Sequence, residues 1–419
     1  MFAQRKRRAP GWADRSEADL GIALLELFAY AGDQLSYLQD RVALEGFLRT
    51  AAQTESVRKL LRLIDYTMDP GCAAQTALLF ECVGPAPLYI ARGLPVGTQV
   101  IADVAAVGYE TVEDAVLYPA LSRIALAVDA PSTIDRKQAV LHANLNGVLQ
   151  PGTWLLFQQG RKREWAQVGS AMFALATTTV TLASALVAKY TAAADAAGNL
   201  PATSVHGNRV RATHGMSQRV GRLSSGEASQ RVELELAPLT WTFDESEQKA
   251  VSTLAVMVDS ESWVEVEDFI DSDASAHHYR VTRDNDGYLT IHFGDGTAAA
   301  VPSEGSAIVV LYRVGLGSAG QVASDTLTRF DRTLAFPDPN QHITGVRNPL
   351  PATGAREPQS LAQARLLGPA QLRVQDRAVV PADFERVLGE GVRLNGQKIA
   401  PLQSRARIRH TGSWNTVVV

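Results

Sequence analysis

SEADLGIALLELFAYAGDQLSYLQDRVALEGFL, residues 16–48, contains no proline and sets leucines at Leu20, Leu24, Leu27, Leu35, Leu38 and Leu44. Steps of three and four residues put Leu20, Leu24, Leu27, Ala31, Leu35, Leu38 and Val42 on one stripe of a helix. Ile22, Leu25 and Phe28 broaden the apolar surface beyond what one partner helix could cover. Ser16 stands three residues before Asp19, a capping arrangement, and Glu17 and Asp19 suit the positive end of a helix. At about 1.5 Å per residue such a helix would reach roughly 45 Å, which is long for an element inside one domain. Leu20, Leu24, Leu27, Phe28, Leu35, Leu38 and Val42 are therefore the candidate interface.

Outward from this stretch the pattern predicts a second helix over 54–64, with Val57, Leu60, Leu61 and Ile64 inward and Arg58, Lys59 and Arg62 outward. Asp69-Pro70-Gly71 stops it. Beyond Gly71 short alternating runs separated by Gly and Pro predict strands over 76–83, 88–91, 98–102, 108–112, 139–143, 153–158 and 163–168. Further strands are predicted over 232–236, 254–258 and 279–283. A hairpin is expected from 288–293 through Gly294-Asp295-Gly296 to 307–314, and 190–200 reads as an exposed loop. Pro337, Pro339, Pro349, Pro351 and Pro358 make 336–359 an expected linker or strap, since proline blocks helix interiors and central strands. Helices over 360–372 and 381–388 then precede a last strand ending at Val419 with no partner downstream.

The fold class that follows is α+β and multidomain. A helical, bundle-forming segment (1–70) leads into a mainly antiparallel β-rich region (71–335) of two modules, with an insertion at 115–205. The strap (336–359) and a partial α/β module (360–419) complete the expectation. The length of 419 residues, with 46% hydrophobic and 20% charged, suits two to four soluble domains.

A net charge of −4 and a pI near 6.1 give no general sign of nucleic-acid or anionic-membrane binding. The basic run Arg5-Lys6-Arg7-Arg8 reads as a solvated tail. Residues 166–188 carry no charge but are rich in Thr and Ser, so they read as a strand with flanks rather than a membrane span. Cys72 and Cys82 fit no disulfide framework or zinc spacing and read as buried thiols in a reducing compartment.

Several motifs suggest chemistry and lose to plainer readings. Gly315-Leu316-Gly317-Ser318-Ala319-Gly320 spells G-x-G-x-x-G, but a dinucleotide site needs a helix next, and Gln321-Val322-Ala323-Ser324-Asp325 followed by prolines is no such helix. Asp284-Asn285-Asp286-Gly287 has its glycine two positions too early for a calcium loop and reads as a tight turn. His277 and His278, adjacent on a strand, would face opposite ways. The carboxylates Glu265, Glu267, Asp268, Asp271 and Asp273 read as a solvated acidic loop. No catalytic, cofactor or metal residue is assigned.

Trp12, the run Asp19-Leu20-Gly21-Ile22-Ala23-Leu24-Leu25-Glu26-Leu27-Phe28-Ala29 and Gly32-Asp33-Gln34-Leu35-Ser36-Tyr37 with Gln39-Asp40-Arg41 carry a family resemblance. So do Arg211-Ala212-Thr213-His214-Gly215, Gly226–Arg231, Pro238–Trp241, Phe293–Gly296, Tyr312–Gly320, Asn348–Ala352 and Arg377 to Glu385. In these blocks the chain resembles the baseplate J-like, wedge-forming assembly proteins of contractile phage tails and extracellular contractile injection systems. Residues 115–200 match less clearly, and family members usually continue with further α/β modules where this sequence stops.

The resemblance implies a structural wedge subunit that meets other wedge, hub, sheath-initiating and tube-initiating subunits, and copies of itself, in a six-fold assembly. It implies assembly in the cytoplasm and a place in a tail-like particle, without cofactor, nucleic acid or membrane span. A β-rich tail-attachment or adhesin module is the second reading, and a tail-associated enzyme the third. Adhesins and enzymes act alone, whereas wedge subunits co-purify in fixed stoichiometry.

Overall fold

The structure is a computed structural model and describes residues 20–99, 106–127, 136–192, 201–244, 248–331, 336, 338–373, 379–390, 392–394, 397–399, 401, 403–410, 412 and 415–418. The chain divides into two compact units, one from the residues up to 68 together with those from 360 onward, the other from 69–359. The expected α+β, multidomain class holds: helices lie near both ends and antiparallel sheet dominates between them.

In the first unit, α1 spans Leu20–Glu45 and α2 spans Thr54–Arg62. The turn between them is fixed by Glu45, whose carboxylate accepts the Ala52 amide (2.9 Å) and the Gln53 amide (3.1 Å). Those donors would otherwise be unsatisfied at the start of α2, and their bonds hold the Glu45 carboxyl below its ordinary pKa. The helix α3 spans Leu361–Arg373. It opens on a reciprocal cap in which the Gln363 amide donates to Ser360 Oγ (3.2 Å) and the Ser360 amide to Gln363 Oε1 (3.1 Å). Ala51, Val57, Leu61 and Ala364 are its fully buried core, flanked by Leu60, Ile64 and Leu361. The Arg365 guanidinium closes this packing by donating to the carbonyls of Leu48 and Ala51. A fourth helix, α4 (Pro381–Glu390), and hairpins pairing Val392–Leu394 with Gln397–Ile399 and Arg407–His410 with Asn415–Val418 complete the described residues.

Among the described residues the second unit holds three larger sheets. The first runs Leu327–Phe330, Pro95–Thr98, Gly108–Thr111, Arg209–His214, Gln75–Val83, His342–Arg347. Leu78, Phe80, Tyr109, Val210 and Leu327 fill its core. Residue 111 pairs with 212 in this sheet, so the chain from Ile124 to His206 is inserted at neighbouring strand ends. That segment builds the second sheet, in the order Ile124–Ala125, Ser204–His206, Trp154–Gln159, Lys162–Phe173, Thr178–Leu182, Gln138–Leu141. It has its own core of Leu141, Leu145, Leu155, Phe157, Val180 and Val205. The third sheet runs Met216–Leu223, Ala307–Val314, Ala255–Val258, Glu261–Val266, His278–Arg283, Leu289–Phe293, Arg231–Glu233. Its one parallel pair among the described residues joins 264–266 to 278–280.

Four expectations are corrected. The strand Leu289–Phe293 does not pair with Ala307–Val314; its hairpin partner is His278–Arg283, and three strands separate it from Ala307–Val314. Asp284–Gly287 makes that turn: Asp284 Oδ1 accepts the amides of Asp286 (3.0 Å) and Tyr288 (2.8 Å), and Gly287 takes φ +91°. Tyr190, expected in an exposed loop, is buried in the second core, with its hydroxyl pushed up to about 12 by desolvation; residues 193–200 lie outside the described residues.

Of the predicted strand over 98–102, the structure shows Pro95–Thr98, and 100–105 are likewise outside. Lastly, residues 342–356 are no free strap. His342–Arg347 is an edge strand of the first sheet, and the chain beyond it pairs back through Thr353 with Gln75 and Arg356 with Cys72. The prolines fall outside the strand, which is why they do not block it.

Candidate assembly surface

On α1, 100° per residue separates two sides. Leu20, Leu24, Leu27, Phe28, Leu35, Leu38 and Val42 all lie exposed on one side, with Leu20, Phe28 and Val42 above 70%. Ile22 is 3% exposed and Leu25 half-buried, so these two turn to the other side and do not broaden the stripe. Glu26, Asp33 and Asp40 recur every seven residues on the opposite side, where Tyr30, Tyr37 and Leu44 are exposed as well, and Arg41 flanks the stripe. The seven residues singled out from the sequence are thus brought onto one face and left open. Residues 16–19, the expected start of the helix, lie outside the described residues.

The other motifs resolve into structure. Gly315 has φ +137°, and a Cβ there would meet the Cα of Gly215 at 2.9 Å. A Cβ on Gly320 would run into the His214 ring at 2.5 Å. The G-x-G-x-x-G run is therefore a packing seam around His214 that continues into a single 3-10 turn, Gly317–Gly320. The Tyr109 hydroxyl donates to the Gly320 carbonyl at this seam.

Below it the first and third sheets are pinned by a buried ion pair, Arg313 Nε to Glu110 Oε2 at 3.1 Å. The same guanidinium donates to Thr213 Oγ1 (2.7 Å) and to the carbonyls of Thr213 and Gly215 (both 2.8 Å). Glu110 accepts the amide and hydroxyl of Ser217, both at 2.6 Å. Burial and the nearby Arg313 charge hold the His214 pKa below its ordinary value.

His277 stacks on Trp263 at 4.9 Å and pairs with Glu261 at 3.1 Å, while His278 meets Ser272 Oγ at 2.8 Å. The two rings do not converge. Both cysteines are buried, and desolvation pushes the Cys82 thiol up. Among the described residues no group of three or more His, Cys, Asp or Glu could hold a metal ion, and no helix is long and apolar enough to cross a membrane.

The inserted module is fastened to the first sheet. Arg163 pairs with Asp325 and donates to the Pro349 carbonyl (2.9 Å). Arg347 pairs with Asp325 at 3.2 Å and donates to Gln158 at 2.7 Å. The Arg209 guanidinium lies over Trp154 and Trp165, 4.8 and 5.7 Å from the ring centroids.

From the far side of the module projects a hairpin that the sequence pattern did not single out. Lys162–Phe173 turns through 174–177 into Thr178–Leu182, and Met172, Phe173, Ala174, Leu175 and Ala176 are all exposed. Its signal was legible as five consecutive apolar residues at a turn, where polar or glycine residues are the rule.

Residues 1–63 match the family model described as bacteriophage baseplate protein, N-terminal domain. This segment carries α1 and α2. The resemblance to baseplate proteins of contractile tail systems is borne out over it. Among solved structures, a chain of the type VI secretion system TssK-TssF-TssG baseplate subcomplex is similar at 12% identity and a TM-score of 0.38, covering 94% of this chain and 87% of that one. A chain of the anti-feeding prophage baseplate is similar at 10% identity and a TM-score of 0.27, covering 93% of this chain and 55% of that one. No curated protein matches the chain.

Proposed function

We propose that the chain is a structural wedge subunit of the baseplate of a contractile tail or contractile injection system and that it is not an enzyme. The observation that carries this reading is the open leucine face of α1, which lies in the segment matching baseplate N-terminal domains. A helix with seven large apolar residues in water is unfavourable alone, and each such side chain gains about 2 kcal/mol on burial. Helices of partner subunits closing on Leu24, Leu27, Leu35 and Leu38 would supply that burial. The partners would be other wedge, hub, sheath-initiating and tube-initiating subunits and further copies of this chain, assembled in the cytoplasm around a six-fold tail. The pinned β body would act as a rigid arm that spaces the contacts, because the Glu110–Arg313 pair and the Arg163–Asp325–Arg347 cluster join its sheets.

The test is co-expression with the neighbouring baseplate subunits. The native chain is expected to co-purify with them in fixed stoichiometry, and the variant Leu24→Ser, Leu27→Ser, Leu35→Ser, Leu38→Ser to lose them by at least about tenfold while its β body stays folded. Unchanged co-purification of that variant removes α1 from the interface. A chain that never co-purifies would be an attachment module instead.

A further inference from the structure

We infer that the hairpin tip Met172–Ala176 is a knob that seats in an apolar groove of a second copy of this chain, so that copies join head to tail. The inference rests on the proposed ring assembly and names the surfaces that would build it.

The tip is apolar on both faces. Met172 and Phe173 are successive strand residues and so point to opposite sides of the hairpin, yet both are exposed, Met172 at 73%. Leu175 at the turn is 96% exposed. A flat patch covers one side only, so the complement must be concave. No residue from 166 to 188 is charged. The tip therefore has no Lys or Arg with which to hold a lipid surface, and its recognition is apolar contact with protein.

Beside the first sheet, at the small two-stranded sheet that pairs Leu88–Ile90 with Ala115–Leu117, lies a hollow of about 610 Å³, lined by Pro87, Tyr89, Ala91, Pro95 and Phe336 over the buried Leu88. Arg92 is the charged residue among those lining it, so an uncharged insert meets little desolvation penalty. Knob and hollow occupy different surfaces of one chain, and both are open. Two such contacts could close reciprocally in a two-fold pair; the ring assembly proposed above calls instead for one contact to each neighbour, running head to tail. The insertion of the knob-bearing module between paired strands, and its fastening by Arg163, Arg347 and Arg209, would hold the knob at a fixed angle to the hollow.

Single variants Leu175→Cys and Ala91→Cys in the full-length chain test this, because the native Cys72 and Cys82 are buried. In assembled particles, oxidation of a mixture of the two variants is expected to give a disulfide-linked dimer. Either variant alone is expected to give it at less than about a tenth of that yield, and the double variant a ladder of higher species. Leu175→Asp is expected to keep the native unfolding midpoint and lower ring yield about tenfold. Particles that form normally but show no mixed cross-link overturn the knob and leave the wedge reading standing. A native chain that forms no assembly at all overturns both. Binding of the native chain, but not of Leu175→Asp, to phosphatidylcholine vesicles assigns the tip to lipid and also overturns the proposal.

Discussion

His214 shows how one residue joins packing to solution behaviour. Its ring fills the space left by Gly315 and Gly320, stacks obliquely 5.7 Å from Tyr109 and lies near Arg313. A proton there would be desolvated beside an arginine whose counter-charge, Glu110, is already engaged. Buried His206 is held low as well, by desolvation against the pull of the Ser122 carbonyl bonded to its Nδ1. For both, the folded pKa lies below the ordinary value of about 6.5, so the unfolded chain binds more protons and stability rises with pH. The histidines' contribution to stability is expected to be flat above about pH 7 and to fall as pH drops below about 6.5, by at most about 1.4 kcal/mol per pH unit for each histidine. His214→Asn should make this acid limb shallower in urea titrations at several pH values. An NMR-detected His214 pKa at or above 6.5 would remove the explanation. The sequence pattern reads Gly315–Gly320 as a turn leaving a strand, because no helix follows. It could not reveal why glycine is needed there, since the ring it accommodates sits a hundred residues away in sequence.

Among the elements, the segment 342–356 changes meaning most between sequence and structure. Asn348 is fully buried and its side chain closes four hydrogen bonds. Oδ1 accepts the amides of Thr326 (3.0 Å) and Leu327 (2.9 Å), and Nδ2 donates to the carbonyls of Ala323 (2.7 Å) and Leu350 (3.1 Å). Asn348→Ala strips partners from buried groups that water cannot reach and is expected to cost about 3 kcal/mol, read as a lowered urea midpoint of the β body. Replacing 346–354 by Gly and Ser should unfold the first sheet, whereas a passive linker would tolerate the change; a native midpoint in that variant would restore the strap. Local patterns made much of the fold legible: α1 and α2 from their periodicity, the Asp284–Gly287 turn from Asp-Gly chemistry, most strands from alternation. Long-range pairing was not. Gln75–Val83 lies between strands that begin at Arg209 and His342, and alternation fixes which face of a strand is buried without naming its neighbour. The hairpin tip is a different case: its five consecutive apolar residues at a turn are a local signal, and their exposure is what separates them from ordinary strand flanks.

At the scale of the molecule, the two units differ in how much core each has. Residues 69–359 bury three large clusters, centred on side chains such as Phe80, Phe157 and Phe293. The other unit has a fully buried cluster of only Ala51, Val57, Leu61 and Ala364 among the described residues, and its longest helix leaves its leucines in water. A core that small supports little stability by itself, and most helical stability comes from packing of an apolar face rather than from propensity. In the isolated chain, amides of α1 are therefore expected to exchange with solvent about 100-fold faster than those of Leu78, Phe80 and Val310 in the central strands. If partner subunits close on the leucine face as proposed, they bind the folded helix and not its open form, and assembly should slow exchange in α1 by a comparable factor. The central strands, already at the limit set by unfolding of their own unit, should change little. Hydrogen exchange followed by mass spectrometry on free chain and on assembled particles reads both regions in one experiment. If α1 exchanges as slowly in the free chain as Phe80 does, its stability is intrinsic and the open leucine face is not waiting for a partner. Equal rates for α1 before and after assembly would also exclude that role, because a face that gains no protection in the particle is not where the particle is held together.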